Sequence, residues 1–350
     1  MQVTSKKIAI YGAGAMGTIL GALLTKGGLK NVHLITRNET HTKAMQEKGA
    51  RIVCLAENTE FTVKVEARTP AQITDKYDIV FLMTKQRANA EILTALKEFL
   101  SEDGIVCTTQ NGLPEQSVAD SIGKERTYGA VASYGATFLG EGSVALTSKL
   151  QGMRMQVAGY ENDGSKTDLL VEILAFAGKA IDNPDFSQKA DNLAGARWSK
   201  LAINSAFSGL SVVTGKTFGE IAKNRKSKKI ALGILRECMD VATAQGIALE
   251  KMQGHDMQKL LGGRGFFKTQ TSLWLLPIAM RKHKKLVSGM LKDIEKGRKC
   301  EIDYINGVVC KEGKKVNVPT PLCEKVVEIA HGIENGLYEI SEKNLDFFDK

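Results

Sequence analysis

The amino-acid sequence predicts an α/β protein, with an N-terminal domain of parallel strands and helices over residues 1–188 and an all-helical C-terminal domain over 189–350. Three observations predict it. The first is a glycine-rich turn: apolar Ile8-Ala9-Ile10 runs into Tyr11-Gly12-Ala13-Gly14-Ala15-Met16-Gly17, and Thr18 to Leu24 then reads as a helix. In that strand–turn–helix context, Gly-x-Gly-x-x-Gly marks a Rossmann dinucleotide-binding domain. The second is Asp78-Ile-Val-Phe-Leu-Met83, an unbroken apolar run of the kind found in strands covered on both faces. The third is a change of texture beyond the loop Asp182-Asn-Pro-Asp185, where β-branched runs give way to helical periodicity.

Within the turn each glycine has its own reason. Gly12 permits the sharp exit from the strand, Gly14 lets backbone approach a pyrophosphate, and Gly17 lets the helix lie close on the sheet. The unpaired amides and positive dipole end at the start of that helix, with Ala13, Ala15 and Met16 between the glycines, complete an anion site.

Asn31 to Thr36 reads as the second strand, and Thr36-Arg37-Asn38 follows it with no carboxylate before Glu39. A carboxylate there would accept from ribose hydroxyls, whereas a guanidinium pairs with a 2′-phosphate. Arg37 therefore points to NADPH, the alternative being a surface arginine that opens a loop. Arg51 to Leu55 and Phe61 to Glu66 flank a polar turn and fit a hairpin. Lys85 follows Met83 at a strand's carboxyl end, where open α/β sheets bind ligands, and reads either as a cofactor contact or as a surface lysine. Gly104 to Thr109 is another strand, ending in Gln110-Asn111-Gly112. Asn111 can point its amide into a cofactor crevice, or Asn-Gly can be an ordinary turn. Short strands at Tyr128–Ala132, 143–146 and 153–157 and a helix from Thr167 to Phe176 close the domain.

Asp191 to Leu210 has helical character, and Lys200, Asn204 and Ser208 fall at i, i+4 and i+8 on one polar stripe. From spacing alone that stripe could be a solvent face. Lys229 to Gln245 predicts a long amphipathic helix, while the basic stretch Gly254 to Lys285 receives no assignment. Ser288 to Gly307 is dense in polar groups with regular apolar spacers, and includes Ser288, Glu301 and Asn306.

The chain has 350 residues, 43% hydrophobic and 25% charged, which suits a globular protein of two domains. The segment Met1 to Ser5 is polar overall and the first strand begins almost at once, which leaves no room for a signal peptide, and no apolar run approaches the ~20 residues that span a membrane. Six scattered cysteines without Cys-x-x-Cys or histidine partners read as reduced buried thiols, consistent with a cytoplasmic protein and no metal site. The net charge of +9 comes with basic runs at Lys223–Lys229 and Arg281–Lys285 but no aromatic interleaving or nucleic-acid module, so nucleic-acid binding is not expected. A basic balance also suits an enzyme with anionic cofactor and substrate.

At Gly12–Gly17, Arg37, Lys85, Gln110-Asn111-Gly112, Trp198-Ser-Lys200-Leu-Ala-Ile-Asn204 and Glu301-Ile-Asp-Tyr-Ile-Asn-Gly307, in order over nearly the whole chain, the sequence resembles the ketopantoate reductase (2-dehydropantoate 2-reductase) family. The resemblance implies an NADPH-dependent enzyme that reduces the C2 ketone of ketopantoate to D-pantoate in pantothenate and coenzyme A synthesis, acting between a Rossmann and a helical domain. It implies that Lys200 is the general acid and that Glu301 bonds substrate and cofactor and orients Lys200. Asn111 and Asn204 would position substrate and nicotinamide, and Arg37 and Lys85 would contact the adenosine phosphate. Two positions depart from the family: Ser208 stands where a second Asn is common, and Gly289 where a Ser is common, with Ser288 beside it as a substitute. These departures leave ketone reduction intact and open the substrate to another 2-oxo acid or an imine. A non-enzymatic NADPH sensor would need the glycines but neither Lys200 nor Glu301. The protein is expected to act as a monomer or homodimer on a small-molecule 2-oxo acid.

Overall fold

In the computed structural model, which describes residues 3–161, 164–251 and 256–349, strand β1 (Ile8–Tyr11) is buried at every residue inside an eight-stranded sheet. The chain divides into two compact units: Met1–Gln110 with Pro114–Leu193, and Asn111–Leu113 with Ala194–Lys350.

In the first unit β1 is followed by α1 (Ala15–Gly27), β2 (Val32–Ile35) and α2 (Glu39–Lys48). A hairpin of β3 (Ala50–Cys54) and β4 (Thr59–Val63) comes next, then β5 (Glu66–Arg68). The chain continues through β6 (Tyr77–Leu82), α3 (Asn89–Phe99), β7 (Leu100–Thr108) and α4 (Glu115–Ile122). After β8 (Thr127–Ala132), β9 (Ala136–Gly140), β10 (Ser143–Leu146) and β11 (Met155–Gly159) come α5 (Thr167–Lys179) and β12 (Ser187–Lys189). The large sheet runs β12-β11-β8-β7-β6-β1-β2-β5, parallel throughout except for β11 against β8. Because β1 lies between β2 and β6, strand order reverses there, and it is at the carboxyl ends beside such a reversal that open α/β sheets bind ligands.

A second sheet, β4-β3-β10-β9, packs on α1. Helix α1 is therefore covered on more than one side, which explains why Ile19, Leu20, Ala22, Leu23 and Leu24 are all buried instead of forming one stripe. The expected hairpin pairs Ala50 with Val63 through Cys54 with Thr59, while Glu66 belongs to β5 in the large sheet. β12 pairs in parallel with β11, so the first unit continues past residue 188 to Leu193. Asn111–Leu113 leaves that unit because Leu113 packs on the core of the second.

The described elements of the second unit are all helical. α6 (Leu193–Ile203), a π-helical turn (Asn204–Ser208) and α7 (Gly209–Thr214) replace the single helix expected from Asp191 to Leu210. α8 (Phe218–Lys223) and the amphipathic α9 (Arg225–Ala244) follow. The unassigned basic stretch contains α10 (Met257–Leu261) and α11 (Phe266–Ala279); its first residues, Gly254 and His255, lie outside the described residues. α12 (Gly289–Glu295), α13 (Ile302–Lys315) and α14 (Pro321–Glu334) complete the unit around a core that includes Trp198, Phe207, Leu210, Val309 and Val326.

Candidate active site

The glycine turn is built as its sequence predicts. Gly12 has φ of +108°, and a Cβ there would stand 2.5 Å from the Thr84 amide nitrogen and 2.6 Å from the Met83 carbonyl carbon. At Gly17 a Cβ would run into the Gly12 carbonyl. At Gly14 it would meet no heavy atom within 4 Å. Two glycines are thus required by the fold itself, and the third faces open space, the arrangement that close approach of a pyrophosphate needs. The Gly12 and Ala13 amides both donate to the Ile35 carbonyl at 2.9 Å, and the Met83 amide donates to the Tyr11 carbonyl at 2.8 Å. These bonds tie the turn to the ends of β2 and β6. No side chain caps α1, so its first-turn amides at Ala15, Met16 and Gly17 and its positive dipole end suit an anion.

Arg37 and Lys85 sit at the carboxyl ends of β2 and β6 and are exposed. Arg37 Nη1 lies 3.4 Å from Glu91 Oε1 in the first turn of α3, a carboxylate that local sequence did not bring to this position. With side chains 65% and 74% exposed, that pair contributes little, and the guanidinium remains able to bind a phosphate. Behind Lys85, the buried Gln110 side chain donates to the Thr84 carbonyl at 2.9 Å and to Asn89 Oδ1 at 2.7 Å, and accepts from Thr108 Oγ1 at 3.1 Å. Gln110 and Asn89 therefore join the ends of β6 and β7. Sequence reasoning missed Asn89, whose partners are distant in the chain. Asn111 is exposed beside Gly112, whose φ of +80° the turn requires.

In the second unit, Lys200, Asn204 and Ser208 are partly exposed while nearly all of their neighbours from Gly195 to Val213 are buried. The polar stripe is thus a partly exposed line on an otherwise buried helical segment, and it runs into the π turn. π turns occur at functional sites because they rotate side chains out of the α register. The turn packs against α12 and α13. Asn306, wholly buried on α13, donates through Nδ2 to the Ser205 carbonyl at 3.1 Å and pins the turn.

Burial, and after it repulsion from Arg197, one turn earlier and itself buried, together push the Lys200 ammonium down to about 7. A lysine near neutrality can both carry a proton at physiological pH and release it. Arg197 had no signal in the sequence beyond its place beside Trp198.

Glu301 is partly exposed at the start of α13. Ser288 is different: its hydroxyl accepts from the Met290 amide at 3.1 Å as the cap of α12, and its own amide donates to Ser211 Oγ. Its side chain is 2% exposed, so its first role is to start that helix. Gly289 is exposed, with nothing within 4 Å of where its Cβ would be. Asn111, Lys200, Asn204, Ser208, Ser288 and Glu301 all belong to the second unit; the glycines, Arg37 and Lys85 belong to the first.

Residues 8–158 match the family described as ketopantoate reductase PanE/ApbA, and residues 192–334 match the C-terminal part of the same family. The 2-dehydropantoate 2-reductase of Lactococcus lactis subsp. lactis (strain IL1403) is 27% identical over 338 residues, covering 94% of this chain and 98% of the relative. Among solved structures, the 2-dehydropantoate 2-reductase from Geobacter metallireducens GS-15 is 26% identical, covers 93% of this chain and 99% of its own, and superposes with a TM-score of 0.76. D-mandelate dehydrogenase in its ternary structure with NADH and anilino(oxo)acetate shares the fold, with a TM-score of 0.79 at 24% identity over 95% of this chain and 99% of its own.

Proposed function

The chain belongs to the ketopantoate reductase family, and with it to the oxidoreductases that act on a CH–OH group, and from that premise we propose that it reduces 2-dehydropantoate to D-pantoate with NADPH. In this reading it serves pantothenate and coenzyme A synthesis in the cytoplasm. The observation that carries the reading is Lys200: a partly exposed lysine lowered to about 7 within an otherwise buried helix. Such a group is costly to fold and is suited to acid catalysis.

When bound, NADPH supplies the hydride that adds to C2. The amides at the start of α1 hold the pyrophosphate, Gly14 leaves room for it, Arg37 pairs with the 2′-phosphate and Lys85 adds positive charge. As electrons move onto the ketone oxygen, the Lys200 ammonium neutralises the developing alkoxide and passes it one proton. The product is the CH–OH, and Lys200 is left as a neutral amine that regains its proton from solvent. Glu301 orients Lys200 and accepts from substrate and from the cofactor. Asn111 and Asn204 donate to the substrate oxygens, and Ser208 extends that stripe.

A second reading, reduction of a different 2-oxo acid, is favoured by the open space at Gly289 and the short side chain of Ser208, which leave room for a substrate of another shape.

The test mixes purified protein with NADPH and 2-dehydropantoate and follows loss of cofactor absorbance, with Lys200→Met alongside. Rapid oxidation by the wild type, lost in the variant, is expected. NADPH binding without turnover, followed by turnover of another 2-oxo acid or an imine in a screen, would establish the second reading. Binding with no turnover of any of them would make the protein a sensor.

A further inference from the structure

We propose that His41 is a positioning residue for the dinucleotide turn, acting through Thr18 in a directed chain of hydrogen bonds that ends on the Ala13 carbonyl. The inference rests on the dinucleotide-binding reading above and adds two residues to it.

His41 is on α2 and is completely buried. The Gly142 amide, in the turn between β9 and β10, donates to His41 Nδ1 at 2.9 Å. Nδ1 must therefore present a lone pair, and the neutral ring carries its proton on Nε2. Nε2 lies 3.0 Å from Thr18 Oγ1, and so donates to it. The Thr18 hydroxyl, 3.2 Å from the Ala13 carbonyl oxygen, gives its own hydrogen there. The reverse direction fails at once, because Nδ1 and Nε2 would both be acceptors on a ring that holds one proton. The imidazole packs edge-to-face with Phe138, with ring centroids 4.9 Å apart. Burial lowers the pKa of His41, the Ala13 carbonyl partly opposing it, which keeps the ring in the neutral form that the chain requires.

The consequence falls on the anion site. The Ala13 amide is committed to Ile35 and the Gly14 amide donates to the Gly12 carbonyl at 2.7 Å. The Ala13 carbonyl would repel a pyrophosphate if its peptide plane turned toward it. Held by Thr18, it points into the protein, and the first-turn amides of α1 face the ligand already oriented. The second sheet, through Gly142, thereby braces the phosphate turn.

Three substitutions separate the links. His41→Asn keeps an acceptor near Nδ1 for Gly142 but does not reach Thr18. His41→Gln places an amide donor near Nε2 and gives up Gly142. Thr18→Val removes the hydroxyl at nearly constant shape. The readouts are the NADPH dissociation constant by fluorescence, kcat at saturating NADPH, and melting temperature. His41→Asn and Thr18→Val are expected to weaken NADPH binding about tenfold, the worth of one good hydrogen bond, with kcat at saturation within about twofold of wild type. The double variant is expected to bind no more weakly than either single one, and His41→Gln to stay within about threefold of wild type. Unchanged NADPH affinity in Thr18→Val and His41→Asn would overturn the proposal, as would His41→Gln binding as weakly as His41→Asn. If His41→Asn does not fold, Thr18→Val alone decides. A wild type that binds neither NADPH nor NADH would instead overturn the dinucleotide reading on which the proposal stands.

Discussion

Lys200→Met should make the protein inactive and more stable, and the stability gain should depend on pH. Burial and then Arg197 lower Lys200 from the ordinary lysine value of 10.5 to about 7. That gap corresponds to about 5 kcal/mol at roughly 1.36 kcal/mol per pH unit, the cost of carrying the ammonium in the fold below pH 7. The unfolded lysine keeps its proton to about 10.5 and the folded one loses it near 7. Between those values the unfolded chain binds more protons, so the wild type gains stability as pH rises. At pH 6 it carries the whole cost, and at pH 9 only about 2 kcal/mol of it. The side chain is partly exposed, and solvent screening leaves a difference on the order of 1 kcal/mol between the two pH values. Differential scanning fluorimetry at pH 6 and pH 9 should show Lys200→Met melting above the wild type, by more at pH 6. In parallel, kcat/KM should fall about 10²–10⁴-fold, and the wild-type profile should lose activity as pH rises through about 7. A variant that melts below the wild type at pH 6, or gains equally at both pH values, would refute the desolvation argument.

Gly14→Ala should keep the wild-type melting temperature, because no heavy atom lies within 4 Å of the new methyl, while raising the KM for NADPH. Gly12→Ala should destabilise the first unit, since its Cβ meets the Met83–Thr84 backbone at a φ of +108°; thermal melts of the two variants separate these effects. Arg37→Ala should raise the KM for NADPH about tenfold or more and leave that for NADH nearly unchanged, as steady-state kinetics with each cofactor would show. An equal loss with both cofactors would remove Arg37 from the 2′-phosphate site.

The parts legible in the sequence are those carried by near neighbours in the chain. Ile8 to Leu24 read as strand, turn and helix because hydrophobic period and glycine placement act within a few residues, and Gly12, Gly14 and Gly17 have the three distinct environments their spacing implies. Asp78 to Met83 read as a doubly covered strand for the same reason and pairs in parallel on both sides. The stripe of Lys200, Asn204 and Ser208 was visible as periodicity, but whether it faced solvent or a site was not.

Tertiary structure decided the rest. Arg37 acquired Glu91 from a helix more than fifty residues away, and the Ser288 hydroxyl was committed to capping α12. The stretch from Asp191 to Leu210 took a π turn that Asn306 pins from α13, and His41 was given its tautomer by Gly142, 101 residues distant. Glycine placement and hydrophobic period alone determined the dinucleotide turn, the parallel sheet and the helical second half. Desolvation, charge pairing and the direction of hydrogen bonds depend on which distant groups the fold brings into contact, and those contacts gave Lys200 its acidity and the phosphate turn its brace.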